Sequence, residues 1–130
     1  MAHPYHHALS SVKKFGGKPQ DYQPIHDWFD ETKASFADWR HRALRHHSLG
    51  IFWCEEKFGT TVRNSDGKEV PVRLIGEQHV REDLGWIPNP KDWLVLIGKG
   101  PENIPAWCTK GVDKNVGRDC STDETKERFE

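Results

Sequence analysis

The sequence predicts a mainly α-helical chain with a small β-hairpin (α+β), built as a compact helical domain with an irregular C-terminal tail. Three observations predict it. Apolar residues recur at three- and four-residue spacing in three stretches before residue 59 and in two after residue 74. β-Branched residues flank Asp66-Gly67, a hairpin turn pair, between those helical stretches. After Gly98, glycine, proline and charge replace the apolar period. The division that follows is a helical domain over residues 1–98, with the hairpin near 60–74, and an irregular, partly mobile tail over 99–130.

Pro4 suits the first turn of a helix, and Tyr5, Ala8, Leu9, Val12 and Phe15 form its apolar stripe up to Gly16-Gly17. Asp21 is the expected N-cap of the second helix, with Ile25, Trp28, Phe29 and Thr32 facing inward. A long third helix over residues 36–58 follows from the stripe Phe36, Arg40, Ala43, His47, Ile51, Cys54 and Phe58. Gly50 inside it is a weak point of about 1 kcal/mol relative to alanine. It either breaks the helix or lets another backbone come close. In the hairpin, Pro71 assigns the second strand to an edge, because proline has no N–H to donate. Residues 75–84 read as a short helix closed by Gly85, and Asn89 with Pro90 opens the last one. Beyond it, Trp107 and Cys108 are the residues able to pin the tail to the body.

With 130 residues the chain has room for one core, and its six tryptophans and six phenylalanines make that core aromatic. A net charge of -1 argues against nucleic acid as the main partner. No apolar run approaches the roughly 20 residues of a membrane span. Cys54, Cys108 and Cys120 form no C-x-x-C, and the N-terminus lacks the apolar centre of an export signal, so a reducing cytoplasm is expected. Phosphate-loop and nucleophile-elbow motifs are absent from the sequence.

The chemistry concentrates in histidine–carboxylate pairs. A transition ion needs three or four N or O donors from several elements, and helical spacing delivers two to one point. His26 with Asp30, Asp38 with His41, His79 with Asp83, and His3 with His7 have that spacing. The expected ligand set is His7, His26, Asp30, His41, His47, His79 and Asp83, for a divalent ion such as zinc, iron or manganese. His26-Asp27 also reads as an H-D dyad of the kind found in metal-dependent phosphohydrolases, although the other spacings do not follow that family. Ordinary surface pairing, worth a few tenths of a kcal/mol, is the plain alternative. Residues 40–47, R-H-R-A-L-R-H-H, offer Arg40, Arg42, Arg45 and His46 to an anion, with ion pairing to the neighbouring acids as the plain alternative.

Four segments, HPYHHALSSVKKFGG, IHDWFDETK, RHRALRHHSLGIF and IGEQHVREDLGWIP, resemble a family of small phage and bacterial proteins with no established activity, over about residues 3–97. The resemblance implies a viral or prophage setting and, with it, the host-cell cytoplasm; it supplies no catalytic residues. The leading expectation is thus a metal-binding helical protein, extending to a metal-dependent phosphoester hydrolase. The competing expectation is a non-catalytic binder of an anionic small molecule such as a nucleotide, or of a host protein, for example in counter-defence. A structural or assembly protein, homo-oligomeric through its aromatic faces, is the third.

Overall fold

The computed structural model describes residues 3–96, 99 and 103–112. Helices α1 (Pro4–Phe15) and α2 (Pro19–Asp30) form a helical hairpin. Gly16 and Gly17 turn the chain at φ 86° and 77°, a region that favours glycine. The turn of the β-hairpin docks on this corner: Gly17 N donates to Asp66 Oδ2 at 2.9 Å, and Ser65 donates through both N and Oγ to the Asp21 carboxylate. Asp21 is not the N-cap of α2. The helix starts two residues earlier at Pro19, whose missing N–H costs nothing in a first turn, and the Asp21 carboxylate caps backward onto Lys18 N at 2.7 Å.

The single helix expected over residues 36–58 is broken. A 3-10 turn (Trp39–His41) runs into the one-turn helix α3 (Arg42–Arg45), and α4 (Ser48–Phe58) begins afresh. His47 makes the break, because it is extended at φ -160° and its ring accepts from Gly50 N at 3.0 Å, as an N-cap does. Gly50 makes it sterically feasible: a Cβ there would lie 1.9 Å from the Arg45 carbonyl oxygen. Of the two roles open to Gly50, the close backbone approach is the one realised.

Strands β1 (Thr61–Arg63) and β2 (Glu69–Pro71) pair antiparallel with Val62 opposite Val70, around a turn in which Gly67 has φ 83°. The chain passes from Pro71 straight into α5 (Val72–Leu84), which begins three residues before the expected Ile75 and stops at left-handed Gly85. α5 is the central element, packed against α1, α2, α4 and both strands. Its Ile75 and Val80 join Tyr22, Ile25, Phe29 and Ile51 in the apolar core. Asn89 caps α6 (Pro90–Leu94), and a 3-10 turn (Ala106–Thr109) buries Cys108 and sets Trp107 edge-on to Trp86 and Trp93. Of the expected tail, residues 100–102 and 113–130, Cys120 included, lie outside the described residues. No helix among the described residues is long and apolar enough to cross a membrane.

Candidate metal centre

Beside the apolar core lies a polar interior fed by four segments. α2 supplies His26 and Asp30, and α5 supplies His79 and Asp83; in each helix the four-residue step sends both side chains to one side. α1 adds His7, and the broken segment before α4 adds His41 and His46. These seven side chains are between 0% and 6% exposed, which removes them from the class of surface pairs.

The innermost atoms converge. Asp30, His46, His79 and Asp83 each offer a donor atom within 4.8 Å of the others. Asp30 Oδ1 lies 3.5 Å from His79 Nε2 and 3.6 Å from both His46 Nε2 and His41 Nε2. Asp83 Oδ2 lies 3.0 Å from His46 Nε2 and 3.3 Å from His79 Nε2. An ion about 2.1 Å from each donor sets neighbouring donors roughly 3.0 Å apart in an octahedron and 3.4 Å in a tetrahedron. The spacing therefore fits a first-row ion.

Hydrogen bonding points the same way. Among the described residues, the buried side-chain polar atoms without a hydrogen-bond partner belong to Asp30, His41, Arg42, His46 and His79. Neither Asp30 oxygen is satisfied, and the Nε2 atoms of His41 and His79 are not either. Such groups cost about 1–3 kcal/mol each when left alone, and their concentration at one point makes a cluster that could hold an ion. His41 is oriented from behind, its Nδ1 donating to the Asp38 carbonyl at 2.8 Å, which leaves a bare Nε2 directed at Asp30. His46 Nδ1 has no such support.

The electrostatics are those of a cation site. Burial alone would raise the Asp30 carboxyl, but the His79 charge and the close approach of the His41, His79 and His46 rings hold it below the usual carboxylate range. Asp83 is held down against burial by the hydrogen bonds it shares with His46 and His7 and by the nearby charge of His79. Burial would lower His79, yet the nearby charges of Asp30 and Asp83, at 3.5 and 3.3 Å, carry it up to about 9. Burial takes His46 down to about 4 against its Asp83 bond. Burial, then the charges of His79 and His7, take His26 down to about 2. Among the inner rings, His79 is the one whose surroundings favour the protonated form, at the place where a metal would supply positive charge instead.

His7 and His26 lie in this interior but outside the innermost group. His7 bridges two carboxylates of α5, with Nε2 3.1 Å from Asp83 Oδ1 and Nδ1 2.8 Å from Glu82 Oε1. His26 reaches His79 ring to ring, Nδ1 to Nδ1 at 2.9 Å. His47, expected among the ligands, points elsewhere: its Nε2 donates to the Leu44 carbonyl and its Nδ1 caps α4. His46, expected at an anion, occupies the inner group in its place. The cause is the helix break, which turns the two rings away from the positions a continuous helix would give them. His3 is exposed and caps α1 through Tyr5 N, and Asp27 of the H-D dyad is exposed beside Gln23.

The expected anion residues do not share a surface. Arg40 is exposed and held by Asp38, while Arg42 is fully buried with Nη1 donating to the Cys108 carbonyl. Arg45 lies over the Trp28 ring at 4.1 Å and pairs with Glu31. Cys54 is buried, which pushes its thiol up to about 12 and makes it a packing residue rather than a nucleophile.

Sequence reasoning missed Glu82 and Ser11, which bond to the His7 and His26 rings, and Gln78, which bonds to Ser11 and to the His7 backbone carbonyl. Their signal was faint: Gln78 and Glu82 stand four apart on α5, next to His79 and Asp83, and Ser11 stands four after His7.

The chain belongs to the family described as a domain of unknown function (DUF6915), whose model matches residues 2–101. That span takes in the four segments on which the sequence resemblance rests. No curated protein and no solved structure matches the chain.

Proposed function

We propose that this member of the DUF6915 family is a metal-binding protein. It takes one divalent first-row transition ion, zinc, iron or manganese, on the Nε2 atoms of His46 and His79 and the carboxylates of Asp30 and Asp83, with His41 beside Asp30. The observation that carries this reading is a buried aspartate with no hydrogen-bond partner, faced by three histidine nitrogens at 3.5–3.6 Å. Imidazole with carboxylate suits zinc, iron and manganese better than calcium or magnesium, which prefer oxygen alone. When bound, the ion would supply Lewis acidity and tie three segments of the chain together.

Phosphoester hydrolysis, the finer reading, needs a coordination position open to substrate. The donors are at most 6% exposed, so the site supports an ion with a structural or regulatory role before a catalytic one. The phage or prophage setting and the host cytoplasm remain part of the proposal as context and add no chemistry to it. A protein partner or a second copy draws support from α4, where Leu49, Phe52 and Trp53 are exposed together. Elemental analysis of untagged protein, purified without chelators, tests the main reading beside a His79→Ala, Asp83→Ala variant. About one equivalent of ion in the wild type and none in the variant is expected. A folded wild type that neither carries zinc, iron or manganese nor takes one up on titration would overturn it.

A further inference from the structure

We propose that a hydrogen-bond relay anchored on the His7 backbone carbonyl fixes His79 in the tautomer that presents a bare Nε2 to the ion, with Gln78, Ser11 and His26 as positioning residues. The inference rests on the metal-binding reading and adds to it the device that makes His79 a ligand.

The polarity of the relay follows atom by atom. A backbone carbonyl can only accept, so the Gln78 atom 2.9 Å from His7 O is the amide nitrogen. The same nitrogen donates to Glu82 Oε1 at 3.1 Å, which agrees, because a carboxylate also only accepts. Gln78 Oε1 therefore faces Ser11 Oγ, at 2.6 Å, and receives the hydroxyl hydrogen. The other group within reach of that hydrogen is the His7 carbonyl at 3.2 Å, again an acceptor. Either way, Ser11 has no hydrogen left for His26. The 2.8 Å contact between Ser11 Oγ and His26 Nε2 must then be donated by His26.

His26 thus carries its proton on Nε2. A second proton on His26 would leave a buried cation with no carboxylate in hydrogen-bond reach, whereas His79 has Asp30 and Asp83 beside it. Nδ1 of His26 is accordingly bare and accepts from His79 Nδ1–H across 2.9 Å. With its Nδ1 committed as a donor, neutral His79 has its lone pair on Nε2, the atom that lies 3.3 Å from Asp83 and 3.5 Å from Asp30. Every member of the relay is between 0% and 6% exposed, so water does not compete for these bonds. In this respect His79 is supported as His41 is by the Asp38 carbonyl, through three residues rather than directly.

The test uses the full chain, with cobalt(II) alone as the probe, read by visible absorption and by competition with a chelator. Ser11→Ala removes the acceptor for His26 Nε2–H and frees both rings to reverse their tautomers. Cobalt(II) binding is expected to weaken about 10- to 100-fold, the effect typical of losing a group that orients a ligand. Ser11→Thr keeps the hydroxyl and is expected to restore most of the affinity. Long-range 1H–15N correlation spectra of the metal-free wild type give a readout that needs no variant: His26 should be protonated at Nε2 and bare at Nδ1. A His26 proton on Nδ1 overturns the relay even if Ser11→Ala fails to fold, and so does a folded Ser11→Ala that binds cobalt(II) like the wild type. A wild type that takes up no cobalt(II) overturns the metal reading itself, a result distinct from either.

Discussion

Replacing Gly50 by alanine sets two known effects against each other. In an exposed helix the change stabilises by about 1 kcal/mol, because alanine has the higher helix propensity. Here the added Cβ would lie 1.9 Å from the Arg45 carbonyl oxygen, 2.6 Å from its carbon and 2.9 Å from Arg45 Cα. Those are backbone atoms, and the oxygen already accepts from His47 N at 2.9 Å, so no side-chain rotation can relieve the overlap. Overpacking of well-ordered interiors costs about 1–3 kcal/mol, and a clash with fixed backbone belongs at or above the top of that range. The net expectation is a loss of about 2 kcal/mol or more, which for a domain of this size lowers Tm on the order of 10 °C. Arg45 precedes His46, so the movement should also weaken metal binding. Thermal denaturation of the metal-free protein, followed by a cobalt(II) titration, reads both. A Tm that is unchanged or raised would show that propensity prevails and that α3 does not press on Gly50.

Other perturbations have equally definite directions. Zinc at about 100 times its Kd should stabilise the fold by about 2.7 kcal/mol, a Tm rise on the order of 10–20 °C; a chelator should reverse it, and Asp83→Asn should show no rise. Zinc affinity should climb with pH. The ion must displace the extra proton of His79, which is held up to about 9, so about one proton is released per ion below that pH and none above it. Calorimetry at neutral pH in two buffers of different ionisation enthalpy counts that proton, and a count of zero would contradict the assignment of His79 as ligand. Asp21→Ala removes the bonds to Lys18 N, Ser65 N and Ser65 Oγ; a loss of about 0.5–2 kcal/mol, the range for capping residues, is expected in denaturant unfolding.

The helix spacings of the sequence carried the fold class and most of the polar interior. Pairs such as His26 with Asp30 are legible because a four-residue step fixes direction whatever the neighbours do. What spacing cannot show is which side of each helix the rest of the chain covers. The apolar stripe of α2 predicts Ile25, Trp28, Phe29 and Thr32 as its inward side, yet His26 and Asp30 are buried too, because α5 brings a matching polar pair against them. The exchange of His46 for His47 has a different origin. The apolar period through Ala43, His47, Ile51 and Cys54 continues across the break by coincidence, and a histidine acting as N-cap carries none of the usual Ser, Thr, Asp or Asn signal. Glu82, Ser11 and Gln78 were illegible as a set because their roles depend on which hydrogen each can spare, a property of the assembled interior.

The depth of the donors separates how tightly an ion is held from how quickly it is exchanged. Asp30 and His79 are at most 6% exposed, and the least regular of the segments around them is the stretch between α2 and α4, 3-10 turns and one short helix that carry His41 and His46. Exchange of a bound ion would then follow the opening rate of that stretch rather than diffusion of the ion, and a competing chelator would act no faster at higher concentration. In a cell such a protein would keep the ion it met while folding, and its metal content would record the supply at synthesis rather than the supply of the moment.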